Sequence, residues 1–380
     1  MEFCFIIQYM KTVSFLSLFL FFSCAIFSQK NTENIVIVTL DGMRWQEVFT
    51  GADKALLKDK RFTKEPSSTS KSFWSDDINE RRKKLFPFLW TVVAEQGQLY
   101  GNRHYHNYVN NANPFKFSYP GYNELFTGYP DIQVSSNEKI LNKNENVLEF
   151  INKQKSYQGK VAAFATWDVF PYILNKNRSG LYINADVDSL TFRNNNLSLI
   201  NEMQFLTAKP IDVRPDILTF FAAREYWKAY QPKVLYIAFD ETDDFAHAGE
   251  YDQYLKSAYA QDRMIENLWN LIQSSEHYKD KTTLIITCDH GRGDIKKENW
   301  TEHGDEIKES GQIWFAVIGP DTKPIGEIKE AGQLYQKQMA STIASLLGFQ
   351  FTANHSVADP IVAVYNKLSS EAIVYNANTK

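Results

Sequence analysis

The strongest constraint on this chain is a set of apolar, β-branched runs that each stop at a turn. NIVIVTL (Asn34–Leu40) runs straight into Asp41-Gly42. KVAAFAT (160–166), KVLYIAF (233–239), TTLIIT (Thr282–Thr287) and IWFAVIG (313–319) have the same look. Runs that are continuously apolar rather than alternating read as strands buried on both faces of a parallel sheet. Between them, apolar residues recur at three- and four-residue steps in KLFPFLWTVVAEQG, DILTFFAAREYWKAY, YLKSAYAQDRMIENLWNLIQSS and YQKQMASTIASLLG, the last stopping at Gly348. Strands alternating with helices predict an α/β fold: a central, largely parallel sheet flanked by helices on both faces.

At 380 residues, 44% of them hydrophobic, the chain has ample material for a large core. Its net charge of −4, with signs mixed along the chain, gives no reason to expect nucleic acid as a partner. Two stretches break the rhythm. Residues 51–81 are polar and charged, and 176–214 are rich in Asn. Both are expected to be small cap insertions over the sheet edge, within a single catalytic domain spanning 29–380. The N-terminus, KTVSFLSLFLFFSCAIFSQK, has one positive charge, an apolar run too short to span a membrane, then small and polar residues. It reads as a secretory signal peptide over residues 1–28, so the mature protein is expected in the periplasm or outside the cell, without a stable membrane anchor. Cys4 and Cys24 fall in that segment, which leaves Cys288 alone and no disulfide. No feature points to an oligomeric state.

Three of the predicted strands end in acid. TLDG supplies Asp41. AFDETDDFAHAG supplies Asp243 and His247. TCDHG supplies Asp289 and His290, and WTEHGD follows with His303. In a parallel sheet such strand ends lie along one edge, so their side chains converge although they are far apart in sequence. Taken singly, each has an ordinary reading as a turn residue, a helix cap or a surface histidine. Together, three Asp and three His suffice for two metal sites, an arrangement suited to phosphoryl transfer. Asp243 is preferred over its neighbours Asp240 and Asp244 because it stands four residues before His247, one helical turn away. A nucleophile is offered by NPFKFSYPGYNELFTGYPD (113–131), where Ser118 precedes Pro120 at the expected start of a helix. A capping role is the plainer reading of that serine; an anion-binding helix N-terminus is the functional one.

With these residues in view, the chain resembles the alkaline phosphatase superfamily, and within it the nucleotide pyrophosphatase/phosphodiesterases and related secreted metallophosphatases. VTLDGMRW, SYPGYNELFTG, ETDDFAHAG, CDHG and HG carry the resemblance, in the family's order over most of residues 34–350. It implies two divalent metal ions, zinc above all. One is held by Asp41, Asp289, His290 and the nucleophile Ser118; the other by Asp243, His247 and His303. It also implies double displacement through a phosphoserine that water then hydrolyses, with an Asn holding a phosphate oxygen. Asn137 is the candidate for that role, with Asn142 and Asn144 close by. The sulfatase motif C/S-x-P-x-R is missing, and the interval after Ser118 is too short for the second domain of the cofactor-independent phosphoglycerate mutases.

The expected substrate is a small-molecule phosphate ester. For a monoester, Lys116 and Arg178 offer extra positive charge. For a diester, TWDVFPYIL with Trp167 offers an apolar surface, although helix packing also explains that stretch. Sulfate or phosphonate ester hydrolysis on the same site, and a metal-stabilised binding protein without turnover, are the alternatives.

Overall fold

The computed structural model describes residues 31–191, 196–209 and 212–365. Its strands, in chain order, are β1 (Asn34–Leu40), β2 (Gln98–Tyr100), β3 (Asn107–Asn110), β4 (Val161–Ala165), β5 (Tyr182–Ala185), β6 (Val234–Phe239), β7 (Thr282–Thr287), β8 (Gln312–Ile313), β9 (Phe315–Ile318), β10 (Gly326–Glu327) and β11 (Gly332–Tyr335). They form a large sheet of order β10-β2-β9-β7-β1-β6-β4-β5 and a small one of order β11-β3-β8.

β1 is the axis. All 7 of its residues are buried, because parallel partners β6 and β7 cover both its edges and helices cover the sheet. Each fully buried Val or Ile there contributes about 1.5–3 kcal/mol. β4 continues the parallel arrangement beside β6, and β5 beside β4. The register pairs Leu40 with Phe239 and Thr39 with Thr287, so β1, β6 and β7 end level with one another. That alignment brings the residues after three distant strands to one edge.

Two groups of helices flank the sheet. Asp216–Tyr230 and Tyr251–Gln273 contact each other and β1, β4 and β6; Ser118–Thr127, Val147–Asn152 and Met339–Leu346 form the second group. In Tyr251–Gln273 the buried residues include Leu255, Ala258, Ile265, Leu268 and Ile272, the stripe predicted from the apolar spacing. Gly348, with φ 81°, follows Met339–Leu346 in the left-handed conformation that ends many helices.

The structure differs from the sequence reading in two places. IWFAVIG supplies β9, which runs antiparallel to β7; a short apolar run reports burial and carries no information on direction. Within 176–214, read as an insertion, YINA is β5, the edge strand of the large sheet. Four residues, half of them partly exposed and one an Asn, are too few and too polar to register as a core strand. Residues 51–81 hold the helices Lys54–Lys58 and Pro66–Phe73, anchored by buried Leu56, Leu57 and Phe73. Among the described residues no helix is long and apolar enough to cross a membrane. The expected signal peptide, 1–28, lies outside the described residues.

Candidate active site

Asp41 follows β1 and is buried together with Asp289 and His290, which follow β7. The turn after Asp41 needs glycine: Gly42 has φ 59°, and a Cβ there would lie 2.4 Å from Asp243 Oδ1. Tyr122 Oη donates to Asp41 Oδ2 at 2.8 Å, and Gly42 N donates to Asp289 Oδ1 at 3.2 Å. The other oxygens, Asp41 Oδ1 and Asp289 Oδ2, are buried and accept no hydrogen bond. Both face His290 Nε2, at 3.3 and 3.4 Å. His290 Nδ1 donates to the Gly291 carbonyl at 2.9 Å, which leaves Nε2 as the nitrogen with a free lone pair.

Ser118 opens the helix Ser118–Thr127. The N-cap is Phe117, and no side chain caps the helix, so Ser118 is not spent on capping. Its Oγ lies 3.4 Å from His290 Nε2. The helix approaches this closely because residue 121 is glycine: a Cβ there would stand 2.6 Å from the Asp289 carbonyl oxygen. The helix N-terminus favours an anion beside the serine.

Asp243 and His247 lie on the helix Glu241–His247, with His247 Nε2 3.2 Å from Asp243 Oδ2. His303 comes from the loop beyond β7; its Nε2 is 2.8 Å from His247 Nε2 and 3.7 Å from Asp243 Oδ1. His290 stands between the two sets, with Nε2 3.8 Å from Asp243 Oδ1. Two clusters could therefore hold a metal ion, Asp41 with Asp289 and His290, and Asp243 with His290 and His303; His247, expected in the second set, falls outside this cluster and adjoins it through Asp243 and His303. Neither Asp240 nor Asp244 enters them. This donor set of carboxylate oxygens and imidazole nitrogens suits divalent zinc.

The electrostatics point the same way. Burial, and then the charge of Asp243, push the Asp41 carboxyl well up; burial, and then Asp41, do the same to Asp289. Burial pushes Asp243 up as well, but the Arg292 guanidinium beside it, with His303 and His247, outweighs burial and holds it well below the usual carboxylate range. Burial and neighbouring His290 push His303 down, keeping its imidazole neutral as a ligand must be. Carboxylates crowded out of water with unbonded oxygens are what a bound cation relieves.

The remaining sequence candidates fall in different settings. Asn137 Oδ1 accepts from Tyr119 N at 2.9 Å, beside the start of the serine helix. Asn142 and Asn144 instead donate to Asn123 Oδ1, each at 3.1 Å. Lys116, at φ 54°, packs its stem along Gly311 and reaches the Asp305 carbonyl at 3.5 Å, on the loop that carries His303. Arg178 does not join the cluster. Its guanidinium is bound to Glu149 and to the carbonyls of Asn142, Lys143 and Asn144. Trp167 is partly buried, edge-on to Phe170 at 6.3 Å. Arg292, just after CDHG, escaped the sequence reading. It is buried, pairs with Asp243, and donates to the carbonyls of Trp300 and Thr301, tying the Asp243 helix to the segment before His303.

The sequence model of the family described as type I phosphodiesterase / nucleotide pyrophosphatase matches residues 53–373. No curated protein matches the chain in sequence. Among solved structures, the alkaline phosphatase PafA superposes with a TM-score of 0.59 at 10% identity, covering 89% of this chain and 99% of that one. The lipoteichoic acid synthase LtaP from Listeria monocytogenes gives 0.52 at 13% identity, covering 85% and 74%. A 2-O GAG sulfatase gives 0.52 at 11%, covering 88% and 74%. At these identities the likeness shows a shared fold.

Proposed function

Since the chain belongs to the type I phosphodiesterase / nucleotide pyrophosphatase family of the alkaline phosphatase superfamily, and is thus a phosphoester hydrolase, we propose that it cleaves phosphodiesters through a phosphoserine on Ser118. In this reading zinc ions are held by Asp41, Asp289 and His290 and by Asp243, His247 and His303. The observation that carries it is the convergence of Asp41 Oδ1 and Asp289 Oδ2, buried and unbonded, on His290 Nε2 with Ser118 Oγ alongside.

When bound, divalent ions supply Lewis acidity that lowers the proton affinity of an oxygen and neutralises charge developing at phosphorus. The protein's own groups do the rest. Ser118 Oγ loses its proton and forms the bond to phosphorus as the ester oxygen departs and is protonated; water then breaks the serine–phosphorus bond, restoring the serine hydroxyl and releasing the phosphate monoester. Asn137 has its Oδ1 occupied by Tyr119 N–H, so its amide offers Nδ2 as a donor to a phosphate oxygen. Tyr119 N–H is bound to Asn137, Pro120 has no N–H and Gly121 N donates to the Phe117 carbonyl, so the helix Ser118–Thr127 favours the same charge through its dipole.

The preference for a diester rests on charge. A monoester dianion calls for more positive charge than a diester monoanion. With Arg178 committed to Glu149 and Arg292 to Asp243, Lys116 is the remaining one of the two cations that the sequence offered for a monoester. Trp167 offers apolar surface for the second ester group. The whole of 29–380 acts as one catalytic domain, exported by the segment 1–28.

Release of nitrophenol from bis-nitrophenyl phosphate, nitrophenyl phosphate and nitrophenyl sulfate tests this reading. The diester is expected to turn over fastest, and Ser118→Ala to lose turnover while retaining phosphate binding, because the hydroxyl acts only in the chemical step. Faster cleavage of the monoester or sulfate would replace the substrate class. Near-native turnover in Ser118→Ala would move the nucleophile elsewhere.

A further inference from the structure

The helix that carries Ser118 also carries a buried carboxylate that the chemistry above does not use. Glu124 is fully buried and forms no ion pair among the described residues. Its oxygens are filled instead by N–H donors from two other segments. Oε1 accepts from Ala112 N at 2.8 Å and Lys337 N at 3.0 Å; Oε2 accepts from Asn113 N and Asn113 Nδ2, each at 2.8 Å. Only a carboxylate, with acceptor sites on both oxygens and no donor of its own, satisfies this set.

The residues flanking those donors hold the loop of Asp289. Asn111, next to Ala112, donates its Nδ2 to the Asp289 carbonyl at 2.8 Å and to Gln336 Oε1 at 2.6 Å. Gln336, next to Lys337, donates its Nε2 to the carbonyls of Cys288 and Asp289 at 3.0 and 3.1 Å. Asn113 works in the other direction. Its Oδ1 accepts from Phe115 N at 3.1 Å and Lys116 N at 2.9 Å, shaping the turn that leads into Ser118. The ring closes where Gly121 meets the Asp289 carbonyl, backbone against backbone.

We propose that Glu124 is a positioning residue that sets the separation between Ser118 Oγ and the Asp289–His290 pair, by fastening the serine helix to the two segments that grip the Asp289 carbonyl. The proposal rests on the assignment of Ser118 as nucleophile and of Asp289 and His290 as ligands. A carboxylate buried without a cation is a costly way to hold two loops if stability alone were served. Its placement between the nucleophile and the ligands accounts for the cost, because displacing a reacting group by about 1 Å is enough to slow chemistry roughly a hundredfold.

Glu124→Gln keeps the volume but turns an NH2 group toward N–H donors, so one side of the clamp opens. In the zinc-reconstituted full chain, kcat on bis-nitrophenyl phosphate should fall roughly a hundredfold, while KM and bound zinc, counted by elemental analysis, stay near native. Gln336→Met removes one of the two side-chain donors on the Asp289 carbonyl, leaving Asn111, without touching Glu124. It should lower kcat in the same direction, and it carries the test if Glu124→Gln does not fold. Asp262→Asn is the control. Asp262 is another buried carboxylate on backbone amides, accepting from Phe88 N at 2.7 Å and Leu89 N at 3.0 Å, but it joins elements that carry none of the site residues. It should lower the melting temperature and leave kcat unchanged. If Glu124→Gln and Gln336→Met behave like Asp262→Asn, with kcat within about twofold of native, Glu124 is merely structural and the proposal fails. Ser118→Ala without turnover would then leave the nucleophile assignment standing. Full turnover in Ser118→Ala would overturn both.

Discussion

His303 Nε2 sits 2.8 Å from His247 Nε2, yet the segment that delivers it, KENWTEHG, has no metal-ligand spacing of its own. Its position is arranged by Arg292, which donates to the carbonyls of Trp300 and Thr301 and pairs with Asp243. His303→Ala separates a surface histidine from a ligand. Loss of an ordinary surface residue changes stability by no more than about 0.5 kcal/mol and leaves chemistry alone. Loss of a ligand leaves Asp243 and His247, too few for a stable zinc site. The variant is therefore expected to bind one zinc fewer and to lose most turnover, with alkyl esters suffering more than nitrophenyl esters because a poor leaving group depends more on a cation at its oxygen. Full zinc content with equal losses on both esters would remove His303 from the site. Arg292 had one faint signal, a basic residue two positions after His290 at a strand end. Nothing in the sequence says that its partner would be Asp243, because the two meet only when β6 and β7 flank β1.

At the scale of elements, the helix Ser118–Thr127 depends on how closely it approaches the β7 loop. SYPG was legible as a helix start, since Pro is tolerated in the first turn. That Phe117 rather than Ser118 would be the N-cap was not legible. Gly121→Ala tests the approach itself. Residue 121 is helical, so alanine brings no conformational penalty, but its Cβ would fall 2.6 Å from a backbone oxygen that cannot rotate away. Overpacking of this kind typically costs about 1–3 kcal/mol. The helix must move off Asp289, so turnover should fall by at least about tenfold, more than the stability change accounts for. Unchanged kinetics with a lowered melting temperature would mean that the serine does not depend on this contact. β5 and β9 belong to the same scale. Their residues were in plain view, but a four-residue edge strand and the direction of a short strand are both settled by neighbours rather than by local pattern.

For the whole molecule, the candidate site sits where the sheet's central strands end, so a metal bound there would be linked to folding. A zinc ion that binds only the folded chain stabilises it by about 4 kcal/mol at a thousand times its Kd. Chelation is thus expected to lower the melting temperature and abolish turnover, with both restored by added zinc; a melt and a rate unmoved by chelator would refute the zinc reading. The α/β class followed from the sequence alone, because a strand buried on both faces must be apolar throughout and a helix covering it must repeat near 3.6 residues. The expectation that Asp41, Asp243, His247, Asp289, His290 and His303 gather at one sheet edge came from the same pattern, because parallel strands present their C-terminal ends together. Only the tertiary structure decided that β1, β6 and β7 end level, that Arg178 is bound to Glu149 and not to the cluster, and that Glu124 gathers donors from residues 112, 113 and 337. Hydrogen bonds and ion pairs between distant segments depend on distances of a few tenths of an ångström. Such distances follow from packing, which no local run of residues encodes.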